Sequence, residues 1–179
     1  MWGARVARTD ELAAIRSLMD RAIGELMRDF LDPAAIAASA ELMGLDTQLV
    51  TDGTYFAIDD GARLVGCGGW SRRATLFGGD HTIGRSDAFL DPTRDAARVR
   101  AMYTDPDYAR RGIGRASLAA CESAARNAGF ARVELVATLA GEPLYRACGY
   151  QPGERFAQTT TKGVAVPLVR MSKPLEDQS

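Results

Sequence analysis

The run Val99-Arg100-Ala101-Met102-Tyr103-Thr104-Asp105-Pro106, followed by Arg110-Arg111-Gly112-Ile113-Gly114-Arg115-Ala116, constrains the fold more than any other part of the chain. Val99, Ala101 and Tyr103 alternate with Arg100, Met102 and Thr104, the two-residue period of a strand. Pro106 ends it, because proline has no N–H to give a ladder. The glycine-bearing turn then opens a helix predicted to run to about Ala128, with Gly129 as its C-cap. Gly112 and Gly114 carry no Cβ, so the backbone N–H groups there can lie open to a ligand. A helix N-terminus adds unpaired donors and the positive end of the dipole, and Arg110, Arg111 and Arg115 surround it. This is an anion site whose natural guest is phosphate. The competing reading is an ordinary tight turn.

The segments on either side turn this unit into a layered fold. Arg132–Thr138 reads as the next strand. Strand, helix and strand in that order make a right-handed crossover, so the two strands are expected to run parallel. Upstream, Ala4–Arg8 is a short strand. A helix capped by Thr9 or Asp10 extends to about Met27 on the apolar spacing of Leu12, Ile15, Leu18, Met19, Ala22, Ile23 and Leu26. Asp32-Pro33 starts a second helix that ends at Gly44. Thr54–Asp59 and Arg63–Trp70 form a hairpin about Asp60-Gly61. The glycines at 66, 68 and 69 hint at a bulge or a close approach. Ser71–Ala96 is a long polar loop holding His81, Arg72, Arg73 and Arg85, of the kind that is functional or mobile. Glu142–Gly149 is a short helix. Val164–Met171 is the last strand, placed by Pro167 at an edge or bulge, where an exposed final strand would suit a homodimer. One domain over 1–175 and a disordered tail at 176–179 are expected.

Composition removes several function classes. A net charge of −1 gives no global support for nucleic-acid binding. Three widely spaced cysteines, with no Cys-x-x-Cys, argue against a disulfide framework or zinc site. A single histidine, His81, argues against a His-based metal centre or a Ser-His-Asp triad. No apolar run reaches the ~18 residues of a membrane span. Met1-Trp2-Gly3-Ala4-Arg5 lacks the apolar core of a signal peptide, so a cytoplasmic protein is expected.

The glycine turn fits neither of two familiar phosphate motifs. Gly-x-Gly-x-x-Gly fails at Ser117, and no Gly-Lys-Ser/Thr follows. It resembles the acyl-CoA loop of the GNAT (GCN5-related N-acetyltransferase) superfamily, Gln/Arg-x-x-Gly-x-Gly/Ala. Gly112 and Gly114 match its glycines, while Ala109 departs at the first position with Arg110 beside it. A second match lies in Leu144-Tyr145-Arg146-Ala147-Cys148-Gly149-Tyr150, similar to the apolar-Tyr-x-x-x-Gly-Phe/Tyr helix of the same family. The family often has Asn seven residues before that Tyr; here the position is Thr138. The two motifs cover about Arg98 to Tyr150. The stretches Ala97–Tyr103 and Ala137–Glu142 look like a bacterial GNAT subgroup of unassigned substrate.

The resemblance implies an α/β (α+β) GNAT fold: a central mixed, twisted sheet of about six or seven strands with a splayed parallel pair, flanked by about four helices. It implies acetyl-CoA as co-substrate, held by Met102, Tyr103, Thr104, Arg110, Arg111, Gly112, Ile113, Gly114, Arg115, Ala116 and Thr138, with Tyr145 as general acid and no metal. The acceptor would be the primary amine of a small molecule or peptide. The first two helices would overlie its pocket, with Phe30-Leu31-Asp32 a candidate rim. Read from the residue alone, Tyr145 is more often a core aromatic with a satisfied hydroxyl. Glu134, Asp105 and His81 each have the chemistry of a base, and nothing in the spacing singles one out. Two other readings stand beside the enzyme: a non-catalytic acyl-CoA-binding or regulatory domain on the same fold, and a nucleotide-binding module, which lacks a Mg²⁺ ligand in the turn and a ribose-binding acid at the required spacing.

Overall fold

The computed structural model of the protein describes residues 1–176. Its strands are β1 (Ala4–Val6), β2 (Tyr55–Asp59), β3 (Leu64–Ser71), β4 (Ala97–Thr104), β5 (Arg132–Thr138), β6 (Gln151–Thr159) and β7 (Ala165–Pro174). They form one sheet in the order β1-β2-β3-β4-β5-β7-β6. Every neighbouring pair is antiparallel except β4 and β5. The helices are α1 (Leu12–Leu26), α2 (Pro33–Leu42), α3 (Thr47–Thr51), α4 (Ile113–Asn127) and α5 (Glu142–Ala147).

The apolar spacing read from the sequence decides which face each helix covers. Ile15, Leu18, Met19, Ala22 and Ile23 of α1 pack with Leu49, Tyr55, Ala57, Cys67 and Tyr103 on one side of the sheet. Leu118, Cys121 and Ala125 of α4 pack with Val99, Val133, Leu135 and Phe130 on the other. Strand alternation separates the two sets, since Val133 and Leu135 face α4 while Val136 joins the α2 side with Leu42, Val166 and Leu168.

Two expectations need correction, and two elements carry no reading in the sequence. α1 is preceded by a 3-10 turn over Thr9–Glu11, and no side chain at Thr9 or Asp10 caps it; instead Glu11 accepts the Arg8 N–H at 2.7 Å. α3 has five residues, too few for a helical period to show. β6 is a full strand the sequence hides. Its Pro152 and Gly153 read as turn, and Phe156 is its one large apolar residue, which suits an edge strand solvated along most of its length. β7 therefore lies between β5 and β6 rather than at an edge, and the basis for dimer pairing through it is gone. Pro167 fits there because β5 ends opposite Leu168, so no β5 partner calls on its missing N–H. The tail expected at 176–179 lies, from 177 on, outside the described residues.

Two observations show how tightly the start of α4 and the start of α1 are fixed. A Cβ on Gly66 of β3 would come within 2.2 Å of the Ile113 Cγ2, a branched and buried side chain that cannot swing away. Gly66→Ala is thus expected to destabilise the fold by about 1–3 kcal/mol, or about 3–10 °C in Tm, read by thermal unfolding. Arg5 of β1 meanwhile donates to Glu11 at 2.9 Å and to Asp59 of β2 at 2.7 Å. The Arg5 bonds, with the Arg8 N–H, hold the Glu11 carboxyl down at about 2. A depressed carboxylate gives stability that is present above its ordinary pKa of 4.5 and lost as pH falls toward 2. With Arg5 partly exposed and screened, Glu11→Gln should remove about 1–2 kcal/mol of the wild-type loss between about pH 5 and pH 2, measured by denaturant titration at each pH.

Candidate active site

β4 and β5 share only two residue pairs, Ala97 with Val133 and Arg98 with Glu134. Beyond Arg98 they part, and the backbone of β4 from Val99 onward has no β5 partner. Two clefts occupy the gap and share Met43, Met102, Tyr103, Thr138, Gly141 and Tyr145. The α1-side cleft is walled by Ala22, Ile23 and Leu26 of α1 with Met27 just beyond it, and reaches Thr104 and Gly114 at the start of α4. The α2-side cleft runs the other way, under Leu42 and Gly44 at the end of α2 and Phe77-Gly78 of the long loop. Helix and loop thus both wall the clefts. Phe30, Leu31 and Asp32 line neither cleft.

A bulge in β4 sets the floor. Cys67 of β3 pairs with Tyr103, but Gly69 pairs with Arg100, so Gly68 alone faces both Ala101 and Met102. Ala101 takes φ 57°, a left-handed conformation rare for alanine. The buried Tyr55 hydroxyl donates to the Ala101 carbonyl at 2.8 Å and holds the bulge. Met102 Sδ lies 2.1 Å from where a Cβ on Gly68 would stand. The strand glycines thus serve a bulge and close side-chain packing, and the bulge brings Met102 and Tyr103 to the junction of the clefts.

At the mouth of the gap stands the glycine turn. Arg110 (φ 65°) and Gly112 (φ 86°) are both left-handed, and no side chain caps α4. Ala116 N–H is taken by the Gly112 carbonyl at 3.0 Å; among the described residues, the N–H groups of Ile113, Gly114 and Arg115 have no protein acceptor. A Cβ on Gly112 would meet open space. None of Arg110, Arg111 and Arg115 pairs with a carboxylate among the described residues, because Arg21 and Arg63 hold nearby Asp105 at 3.0 and 3.4 Å. The outer side is braced by Trp2, whose Nε1 donates to the Arg111 carbonyl at 2.8 Å, and by Tyr108, over which the Arg111 guanidinium sits at 4.9 Å.

Tyr145 is buried, packs edge-on against Tyr150, and faces both clefts. Burial pushes its pKa above the ordinary 10, with Cys121 and Cys148 adding to the shift, so the hydroxyl stays protonated. Thr138 Oγ1 accepts the Gly141 N–H at 3.2 Å, which leaves its own proton free to donate. Of the three candidate bases, none faces a cleft unoccupied. Glu134 binds Arg98 and accepts from Arg170 at 2.9 Å, Asp105 is held by two arginines, and His81 Nε2 bonds the Ala40 carbonyl at 2.8 Å. Burial raises Cys67 to about 12 and Cys121 still higher, so neither is a thiolate nucleophile.

One group in the wall reads from sequence as the solvent side of an alternating strand. Arg100 is 5 % exposed and lines the α2-side cleft. Its Nε donates to Asp46 at 2.7 Å and its Nη1 to the Thr75 carbonyl at 2.8 Å. Trp2 and Phe77 were equally unmarked in the sequence, since only long-range packing gives them a place in the site.

No curated protein matches the chain in sequence. Solved structures of the same fold are numerous. A GCN5-related N-acetyltransferase from Rhodopseudomonas palustris superposes with a TM-score of 0.71 at 18% identity, over 98% of this chain and 96% of that one. A Salmonella typhimurium protein solved with its cofactor acetyl-CoA gives 0.65 at 17%, over 100% and 96%. An N-acetyltransferase from Thermoplasma acidophilum in complex with coenzyme A gives 0.63 at 12%, over 97% and 99%. At these identities the likeness establishes the fold. The sequence itself matches the model of the acetyltransferase (GNAT) family over residues 19–150, through the bulge, the glycine turn and the Tyr145 helix, and the chain belongs to that family.

Proposed function

We propose that the protein moves the acetyl group of acetyl-CoA to a primary amine by direct attack in a ternary complex. The observation that carries this reading is the uncapped turn of Arg110–Arg115 opening onto the gap between β4 and β5. Unpaired N–H donors, a helix dipole and three uncompensated arginines suit a diphosphate. The N–H groups of Ile113, Gly114 and Arg115 would hold it, with the Arg110, Arg111 and Arg115 side chains around it and Gly112 giving clearance. Ala116 contributes packing rather than a donor.

Acetyl-CoA supplies an acyl group activated as a thioester. The unpaired backbone of Met102 to Thr104 would align its arm in place of a neighbouring strand. A backbone N–H at the bulge, from Met102 or Tyr103, would face the carbonyl oxygen as it gains charge. Thr138 would orient the arm through its free hydroxyl proton, and Tyr145 would give a proton to the leaving sulfur. In water that transfer runs uphill by about 2 kcal/mol, from a phenol near 10 to a thiol near 8.5. The dry cleft narrows no gap by itself, but it raises both groups together, so the mismatch does not grow with burial. The incoming amine must arrive neutral or lose its proton through water, since the described residues lining the two clefts include no carboxylate or imidazole.

Two substitutions test this separately from folding. Gly112→Leu places a side chain at φ 86° and in the open space of the turn. The protein should lose about 1–2 kcal/mol from backbone strain yet fold, and should lose the roughly 5–10 °C rise in Tm that saturating acetyl-CoA gives the wild type. An undiminished rise would remove the turn from the binding site. Tyr145→Phe should lower kcat in a free-thiol release assay by about 10²-fold while keeping the acetyl-CoA thermal shift. The wild-type kcat should not fall up to about pH 9.5, because burial keeps the phenol protonated. Full turnover by the phenylalanine variant would dismiss Tyr145 as the acid. Stabilisation by acetyl-CoA without thiol release from any amine would favour the binding-domain alternative.

A further inference from the structure

Gly112 gives the anion turn its clearance and also a weakness. A glycine takes positive and negative φ about equally well, so the peptide between Arg111 and Gly112 can turn over at little cost. Turned one way, it offers an N–H to a bound anion. Turned the other, it offers a carbonyl oxygen, which repels one. Gly112 stands at φ 86°, and a contact from outside the glycine must select the orientation.

That contact comes from a residue outside the stretch 19–150 that matches the family. Trp2 Nε1 donates to the Arg111 carbonyl at 2.8 Å. Trp2 is itself fixed. Its ring packs against the buried cluster of Ile58, Val65 and Ile113 and meets Tyr108 edge-on at 6.1 Å. Tyr108 is anchored in turn, its hydroxyl donating to Asp60 and its ring carrying the Arg111 guanidinium at 4.9 Å. Arg111 is therefore held by its carbonyl and by its side chain.

The direction of the neighbouring N–H follows from peptide geometry. In a trans peptide the C=O and the next N–H point opposite ways, and none of the described peptide bonds is cis. Ile58 lies on β2 and Val65 on β3, and both strands stand on the side of β4 away from β5. Trp2, packed on them, draws the Arg111 carbonyl to that side. The Gly112 N–H is then aimed the other way, toward the gap, and it has no acceptor among the described residues.

We propose that Trp2 is a positioning residue for the coenzyme A site: its indole N–H pins the Arg111–Gly112 peptide so that the Gly112 N–H joins those of Ile113, Gly114 and Arg115 as a further donor to the diphosphate. This rests on the reading that places coenzyme A at the turn, and adds a residue to it. Trp2 does not touch the anion; it acts through the peptide it holds. Without it the helix N-terminus would persist, while the orientation of one amide would not.

The test reads that one amide. In the amide NMR spectrum of isotope-labelled wild type titrated with coenzyme A, the Gly112 resonance should move downfield with those of Ile113, Gly114 and Arg115, because each N–H gains a charged acceptor. A Gly112 resonance that stays in place while the other three move would overturn the proposal without recourse to any variant. Trp2→Phe keeps a ring against Tyr108 and Ile113 and removes the indole N–H. Its Tm without ligand should lie within about 4 °C of the wild type, the scale of one exposed hydrogen bond. Its Kd for coenzyme A, by titration calorimetry, should rise about 10-fold, as for one charge-assisted hydrogen bond lost. Its Gly112 resonance should no longer follow the ligand. An unchanged Kd would overturn the proposal. So would a raised Kd with the Gly112 resonance still moving as in the wild type, since Trp2 would then serve only the stability of the turn. A wild type that does not bind coenzyme A would instead strike the acetyl-CoA reading itself.

Discussion

The structure depends on two parallel strands that stop pairing. β4 and β5 are adjacent in the sheet and joined by the α4 crossover, yet they bond across only two residue pairs. A ladder abandoned in mid-sheet leaves backbone N–H and C=O groups that need partners. Water can supply them at an edge; here the gap is roofed by α1 on one side and by the end of α2 with the long loop on the other. The gap is therefore a covered groove floored by unpaired strand backbone. The Ala101 bulge is part of the same device. It offsets β4 by one residue against β3, and Gly68 is the only residue type that leaves room for the Met102 sulfur to fill the offset.

The elements around the gap hold it open through contacts that do not involve the gap. Ile113 is locked between Ile58 and Val65, so α4 cannot slide toward β5. Trp2 ties the outer side of the turn to the chain's first strand. Asp105, at the end of β4, is bound by Arg21 of α1 and by Arg63, which fixes the roof to the strand below it.

What the sequence made legible was local. The Pro106 stop and the Gly112 turn both act within one helical turn of where they are written, so the end of β4 and the start of α4 could be placed nearly to the residue. The parallel pairing followed from the order strand, helix, strand. Long-range facts were not written in any one segment. β6 carries Pro152 and Gly153 where a strand signal should stand, and only pairing with β7 makes it a strand. The bulge was hinted at by three glycines in β3, but its residue, Ala101, has no local mark. Arg100 was hidden for a different reason. An arginine alternating with valine and alanine is the ordinary pattern of a strand with one wet face, and what keeps this face dry is the distant pair of Asp46 and Phe77.

Around the clefts the ion pairs share one stoichiometry. Glu134 is bound by Arg98 and Arg170, Glu142 by Arg146 and Arg155, and Asp46 by Arg85 and Arg100. Each carboxylate has two arginines, so each cluster carries one surplus positive charge. Their settings differ. Side chains of Arg170, Arg146 and Arg155 are 43%, 51% and 53% exposed, and solvent and salt screen whatever surplus they carry. Arg85 and Arg100 are 17% and 3% exposed, so solvent screens their surplus far less, and of the two it is Arg100 that lines a cleft.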